Sequence, residues 1–169
     1  RLPDTLTQGV MEEVKALSSA TYGEIDNFNW GVTREDAQQV LSYFIEFELP
    51  NFGTYQDAMV TGENTLWHSL LSPYLNLGLL HPWEVIAAVE TAYQEQDFPL
   101  NSVEGLIRQI LGWREFLHSI YHWVDDDYGQ RNWLDHTQPL PAFFWDSSQT
   151  EMNCLKQVLQ QVEKTGYAH

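Results

Sequence analysis

Thiols, positive charge, long apolar runs and alternating strand patterns are all scarce in this 169-residue chain. Its single cysteine, Cys154, excludes an internal disulfide and fits a reducing compartment, so the chain is expected to be cytoplasmic. On its own, a lone cysteine reads as a small buried hydrophobe. Eight Lys and Arg face 24 Asp and Glu, for a net charge of −16. The eight cations are scattered from Arg1 to Lys164, so composition offers no basic face for nucleic acid. The longest apolar stretches, such as Ile86 to Val89 and Ile107 to Trp113, are too short to cross a bilayer, and no membrane role is expected. The sequence does not open on a charged-then-apolar signal pattern, so secretion is not expected. No segment alternates with period two, which leaves an all-α reading.

What is present is bulk apolar surface. Hydrophobic residues make up 43% of the chain, with seven Trp and eight Phe, enough to build a core and to exclude disorder. Residues 1–32 read as a lead-in: a helix over roughly Asp4 to Leu17, then a Ser-, Asn- and Gly-containing linker from Ser18 to Gly31. Thr33-Arg-Glu-Asp36 resembles a capping box. Ala37, Val40, Leu41, Phe44 and Ile45 then recur at helical spacing, with Pro50 expected to end the helix and a loop expected from Asn51 to Gly62. Leu66 to Leu80 predicts two short helical pieces meeting at Ser72-Pro73. Trp83 to Tyr93 predicts another helix. Asn101 or Ser102 is placed to cap the longest helix, which runs to about Trp123. Residues 124–147 read as an irregular aromatic and Pro-rich connection. Thr150 is expected to cap a last helix from Glu151 to about Lys164, with Gly166 at its C-terminal end.

Several constellations admit chemistry, each beside a plainer reading. His118 and His122, at i and i+4, can present two imidazoles to a metal, but spacing fixes no third ligand, and exposed surface histidines are the plainer reading. Ser69 and Ser72 lie near a helix start, where hydroxyls and backbone N–H groups suit a phosphate, although Ser beside Pro also serves simply as a cap. Trp113-Arg114-Glu115 sets an aromatic, a cation and an acid in one turn, equally readable as a core Trp beside a surface ion pair.

Taken in order, three blocks resemble the photolyase/cryptochrome family. His68-Ser-Leu-Leu-Ser-Pro-Tyr-Leu-Asn-Leu-Gly78 is similar to the family's segment that wraps the flavin diphosphate. Gln109-Ile-Leu-Gly-Trp-Arg-Glu-Phe116 is similar to the motif on its flavin-pocket helix. Met152-Asn-Cys154, followed by Gly166-Tyr-Ala-His169, resembles the bacterial iron–sulfur branch that includes (6-4) photolyases. The resemblance runs from about Thr33 to His169 and implies that residues 33–169 form an incomplete, multi-helical FAD-binding domain of photolyase type.

The resemblance implies roles for individual residues. His68, Ser69, Leu70, Leu71 and Ser72 would border the FAD diphosphate, with Arg114 adding a cation and Gln109 lining the pocket. Trp113 would shape the cavity that receives a flipped-out damaged base. Trp145 would be a candidate electron relay, and His169 would be the first of a histidine pair tied to protonating the lesion. Cys154 would ligate one iron of a [4Fe–4S] cluster, yet the other three thiols that such a cluster needs are not in this sequence. The second histidine of that pair, the later flavin-pocket segments and the antenna-pigment domain are not in it either. The expectations are therefore these. The intact protein would act on UV-damaged DNA. This acidic piece would bind no nucleic acid, would hold neither cofactor stably and would be inactive alone. It would self-associate, as a dimer, through an apolar face of Leu155, Val158, Leu159 and Val162. The alternatives are a cryptochrome-like photosensor and a non-catalytic helical interaction module.

Overall fold

The computed structural model describes residues 2–17 and 22–168. It is all-α. Among the described residues there is no strand, only one isolated bridge between Val60 and Glu63. The chain divides into two units, Thr33–Met59 with Thr65–Thr137, and Arg1–Val32 with Val60–Asn64 and Gln138–His169.

The unit formed by 33–59 and 65–137 holds every buried hydrophobic residue among those described. Helix α2 (Arg34–Tyr43) starts at the anticipated capping box. Thr33 Oγ1 accepts from the Asp36 N–H, and Asp36 Oδ2 accepts from the Thr33 N–H, both at 3.2 Å. Ala37 and Leu41 face inward from it. Pro50 does not end this run, contrary to the expectation from sequence. A π-helical turn, Phe44–Glu48, leads directly into α3 (Leu49–Tyr55), so the predicted loop at 51–55 is helical. The Leu49 N–H reaches back five residues to the Phe44 carbonyl. Pro50 then falls in the first turn of a new helix, where its missing N–H costs nothing.

The second expected helix also changes. Only α4 (Ser72–Asn76) forms, and residues 66–71 are irregular, with Leu66 and Leu70 left-handed at φ 43° and 54°. Helix α5 (Pro82–Gln96) follows, capped by His81 Nδ1, which accepts from the Trp83 N–H at 3.2 Å. Its inward stripe is Val85, Ile86, Val89 and Ala92, as the periodicity predicts.

The long helix is present but composite. It consists of α6 (Leu100–Ile107), a π segment (Arg108–Arg114) and α7 (Glu115–Trp123). Neither Asn101 nor Ser102 caps it; the capping position is Pro99. Ser102 is fully buried at the crossing of α3 and α6. Its Oγ accepts from the Gly53 N–H at 2.9 Å and donates to the Pro50 carbonyl at 3.5 Å. A Cβ on Gly53 would stand 2.5 Å from the Asn101 carbonyl carbon and the Ser102 nitrogen, so only glycine permits this approach.

In the other unit, α1 (Thr5–Leu17) opens at Asp4, whose Oδ1 accepts from the Thr7 N–H at 2.8 Å. Helix α8 (Asn153–Thr165) starts two residues after the expected Glu151, with Met152 at the capping position. Thr150 is used one step earlier, its Oγ1 accepting from the Met152 N–H at 3.2 Å. Gly166 ends α8 as anticipated, at φ 67°. Neither α1 nor α8 contains a buried residue. This unit is joined by polar ties and by the Trp30–Tyr167 ring pair, centroids 5.3 Å apart. Gly23 and Glu24 donate backbone N–H groups to the carbonyls of Glu163 and Lys164, at 3.0 and 2.7 Å. The buried Ser147 donates its N–H and hydroxyl to the Glu163 carboxylate, at 3.1 and 3.0 Å.

Candidate functional site

The two blocks that carry the flavin resemblance meet within one unit. Arg114, at the end of the π segment, donates from Nη1 to Asn76 Oδ1 at 2.9 Å and from Nη2 to the Leu75 carbonyl at 3.3 Å. Both acceptors lie at the C-terminal end of α4, where a cation is favoured. Arg114 Nε is buried and has no hydrogen-bond partner. The expected surface ion pair with Glu115 does not form; the guanidinium joins the two blocks instead. Asn76 is the residue that reading by motif missed. A polar side chain inside the apolar run Tyr74-Leu-Asn-Leu77 was the available signal.

The segment ahead of α4 is fixed at both ends. His68 Nδ1 lies 2.6 Å from the Thr65 carbonyl and Nε2 lies 2.8 Å from the Gln56 carbonyl. Thus both ring nitrogens face acceptors, and the ring ties the irregular segment to the end of α3. Leu71, Tyr74 and Leu75 anchor the other end in the core. Between these anchors, Ser69 Oγ accepts from the Leu71 N–H at 3.4 Å, Leu70 is left-handed, and Ser72 is exposed at the start of α4. A non-glycine residue held left-handed stores local strain, a feature that clusters at ligand-contacting loops.

The remaining sequence-predicted residues are dispersed. Gln109 donates its amide to the Gly105 carbonyl at 3.2 Å, within its own helix. Trp113 is 61% exposed, so it is not the core residue of the plainer reading. Trp145 is exposed at the end of a short 3₁₀ turn, and Cys154 is exposed in the first turn of α8. His169 lies outside the described residues.

One cation, Arg34, joins α2 to α5. Arg34 donates to the Leu79 carbonyl and to Glu84 Oε2, both at 2.8 Å. That bond, aided by the charge of Arg34, holds the Glu84 carboxyl below the usual glutamate range despite partial burial.

Donor chemistry separates the two groups that the resemblance implies. The 68–72 segment offers two hydroxyls, and the helix that follows it carries the Arg114 guanidinium on Leu75 and Asn76, a donor set suited to an anionic cofactor. Cys154 is one thiol, and no group of three or more His, Cys, Asp or Glu among the described residues is placed to hold a metal. The residues of this chain do not fit a whole iron–sulfur cluster.

No family model matches the chain. An uncharacterized protein of Acanthamoeba polyphaga mimivirus is 38% identical over 74 residues, covering 43% of this chain and 57% of that protein. A (6-4) photolyase of Agrobacterium fabrum is 44% identical over 167 residues, covering 99% of this chain. The alignment takes in 33% of that photolyase, so the chain spans about a third of its length. Over nearly its whole length, this chain matches a fragment of a photolyase.

Proposed function

We propose that this chain supplies one side of the FAD site of a light-driven DNA-repair flavoprotein, with (6-4) photoproducts as the lesion. The observation that supports it most is the Arg114 tie to Leu75 and Asn76, which couples the two flavin-type blocks. Identity to a (6-4) photolyase across 99% of the chain supports the same reading.

In this reading Ser69, Ser72 and the 68–72 backbone hold the cofactor's diphosphate, and Arg114 both braces α4 and adds positive charge near it. His68 positions the segment by its two carbonyl contacts. Gln109 lines the pocket wall. When bound, a reduced flavin supplies the light-driven electron. Trp113 offers an exposed aromatic face on which an extruded base stacks. Trp145 relays charge, and His169 holds a proton for the lesion. Cys154 contributes one thiolate to an iron–sulfur cluster whose other ligands come from outside these 169 residues. DNA contact belongs to the whole protein, since a net charge of −16 disfavours binding of this portion to the DNA backbone.

The test compares flavin absorbance and fluorescence of the purified chain with those of the chain co-expressed with the remaining two thirds of the Agrobacterium photolyase. Flavin should be retained only in the combined sample. Arg114→Ala should weaken flavin binding by about ten- to hundredfold, the loss of roughly 1.5–3 kcal/mol from charged hydrogen bonds. Flavin bound in neither sample would refute the proposal. It would favour the second reading, a non-catalytic helical interaction module, for which the acidic charge is the supporting observation.

A further inference from the structure

The exposed helix α7 carries a feature that the flavin reading does not use. His118 and His122 bring their Nε2 atoms to 3.1 Å, with ring centroids 4.7 Å apart and the planes nearly perpendicular. Two imidazole nitrogens bound to one metal at about 2.0–2.1 Å stand about 2.9 Å apart in a square-planar arrangement and about 3.3 Å apart in a tetrahedral one. The observed separation lies between these two values. One turn before the pair, Glu115 Oε2 lies 3.6 Å from His118 Nδ1. A carboxylate there favours the proton on Nδ1, which leaves the Nε2 lone pair available.

We propose that His118 and His122 form a bidentate site for a late first-row divalent cation, with Cu²⁺ held most tightly. Imidazole nitrogen suits Cu²⁺, Ni²⁺ and Zn²⁺, and affinity at a given nitrogen site peaks at Cu²⁺. The remaining coordination positions are filled by water, because no third His, Cys, Asp or Glu among the described residues joins the pair. His118 is 64% exposed, and α7 contains no buried residue, so the cation enters from solvent without rearrangement of a core. A helix supplies the spacing in advance: i and i+4 side chains already share a face, and chelation adds a cross-link along it.

The experiment uses the full 169-residue chain and the metal salts alone. Substoichiometric Cu²⁺ or Ni²⁺ is titrated in while the ring-proton NMR signals of the six histidines are followed. The His118 and His122 signals should broaden first and together. His118→Asn and His122→Asn should each weaken Cu²⁺ binding by at least about tenfold, the consequence of losing one arm of a chelate. Glu115→Gln should weaken it several-fold while both imidazoles remain. Circular dichroism confirms that each variant stays helical. Simultaneous broadening of all histidines, or unchanged affinity in either Asn variant, would overturn the proposal. The flavin reading is unaffected by either result, because none of the cofactor-binding residues named above lies in this pair.

Discussion

Gly53 and Ser102 show how much one helix crossing asks of single residues. The Gly53 Cα must lie against the α6 backbone, and the Ser102 hydroxyl must meet both the Gly53 N–H and the Pro50 carbonyl. Gly53→Ala is expected to destabilise the chain by about 1–3 kcal/mol, because the methyl meets backbone atoms that cannot swing aside. Ser102→Ala should cost about 1–3 kcal/mol by leaving a buried N–H unpaired. Urea unfolding of both variants checks these values. Neither role was legible in the sequence, where Ser102 read as a cap. A serine near a helix start looks the same whether it caps its own helix or braces another. Glu84 gives a pH prediction. Its folded pKa lies below the ordinary 4.5, chiefly through the bond from Arg34. The stability it adds is therefore fully present above the ordinary value, and it is lost as pH falls through the depressed one. Glu84→Gln should flatten that part of the acid limb in a series of thermal melts from pH 6 to pH 3.

At the level of elements, the two π segments account for most of the differences between expectation and structure. Periodicity placed apolar residues correctly at Ala37, Leu41, Phe44, Val85, Ile86, Val89 and Ala92, which are all buried. It did not reveal the i to i+5 bonds from Leu49 to Phe44 and from Glu115 to Ile110. A π turn changes the bonding pattern while leaving the residue types helix-compatible, so it has no compositional signature. Two helix ends are the opposite case, because their chemistry is local. The Thr33 box and the Gly166 terminus form where the sequence places them. Thr33→Ala should cost about 1 kcal/mol, visible as a lower melting temperature. The flavin-type segment divides along the same line. Motif order singled out the segment, whereas its irregular path through a left-handed Leu70 follows from tertiary anchoring by His68 and the buried Leu71.

For the molecule as a whole, buried apolar area is unevenly distributed. All the buried hydrophobic residues described lie in 33–59 and 65–137, while α1 and α8 contribute none. Local stability follows such burial. Amide exchange should be slowest in α5 and α6 and faster by orders of magnitude in α1 and α8. Uniform protection along the chain would contradict this. The sequence announced the apolar content but not its allocation, because Leu155, Leu159 and Val162 are as well patterned for a core as Val85 and Val89. Pattern records which face of a helix is apolar. Whether another surface lies against that face is a property of the assembled chain.

The π segment at Arg108–Arg114 has one more consequence, in the bookkeeping of insertions and deletions. A π turn holds one residue more than the α-helical path it replaces. Removing a single residue between Ile107 and Trp113 would let the helix run straight and restore α-helical register, so that Arg114 kept its bearing toward Asn76. Winding the same residues as unbroken α-helix would instead turn every later side chain by about 100° relative to α6. Through this stretch, the count of residues matters as much as their identity.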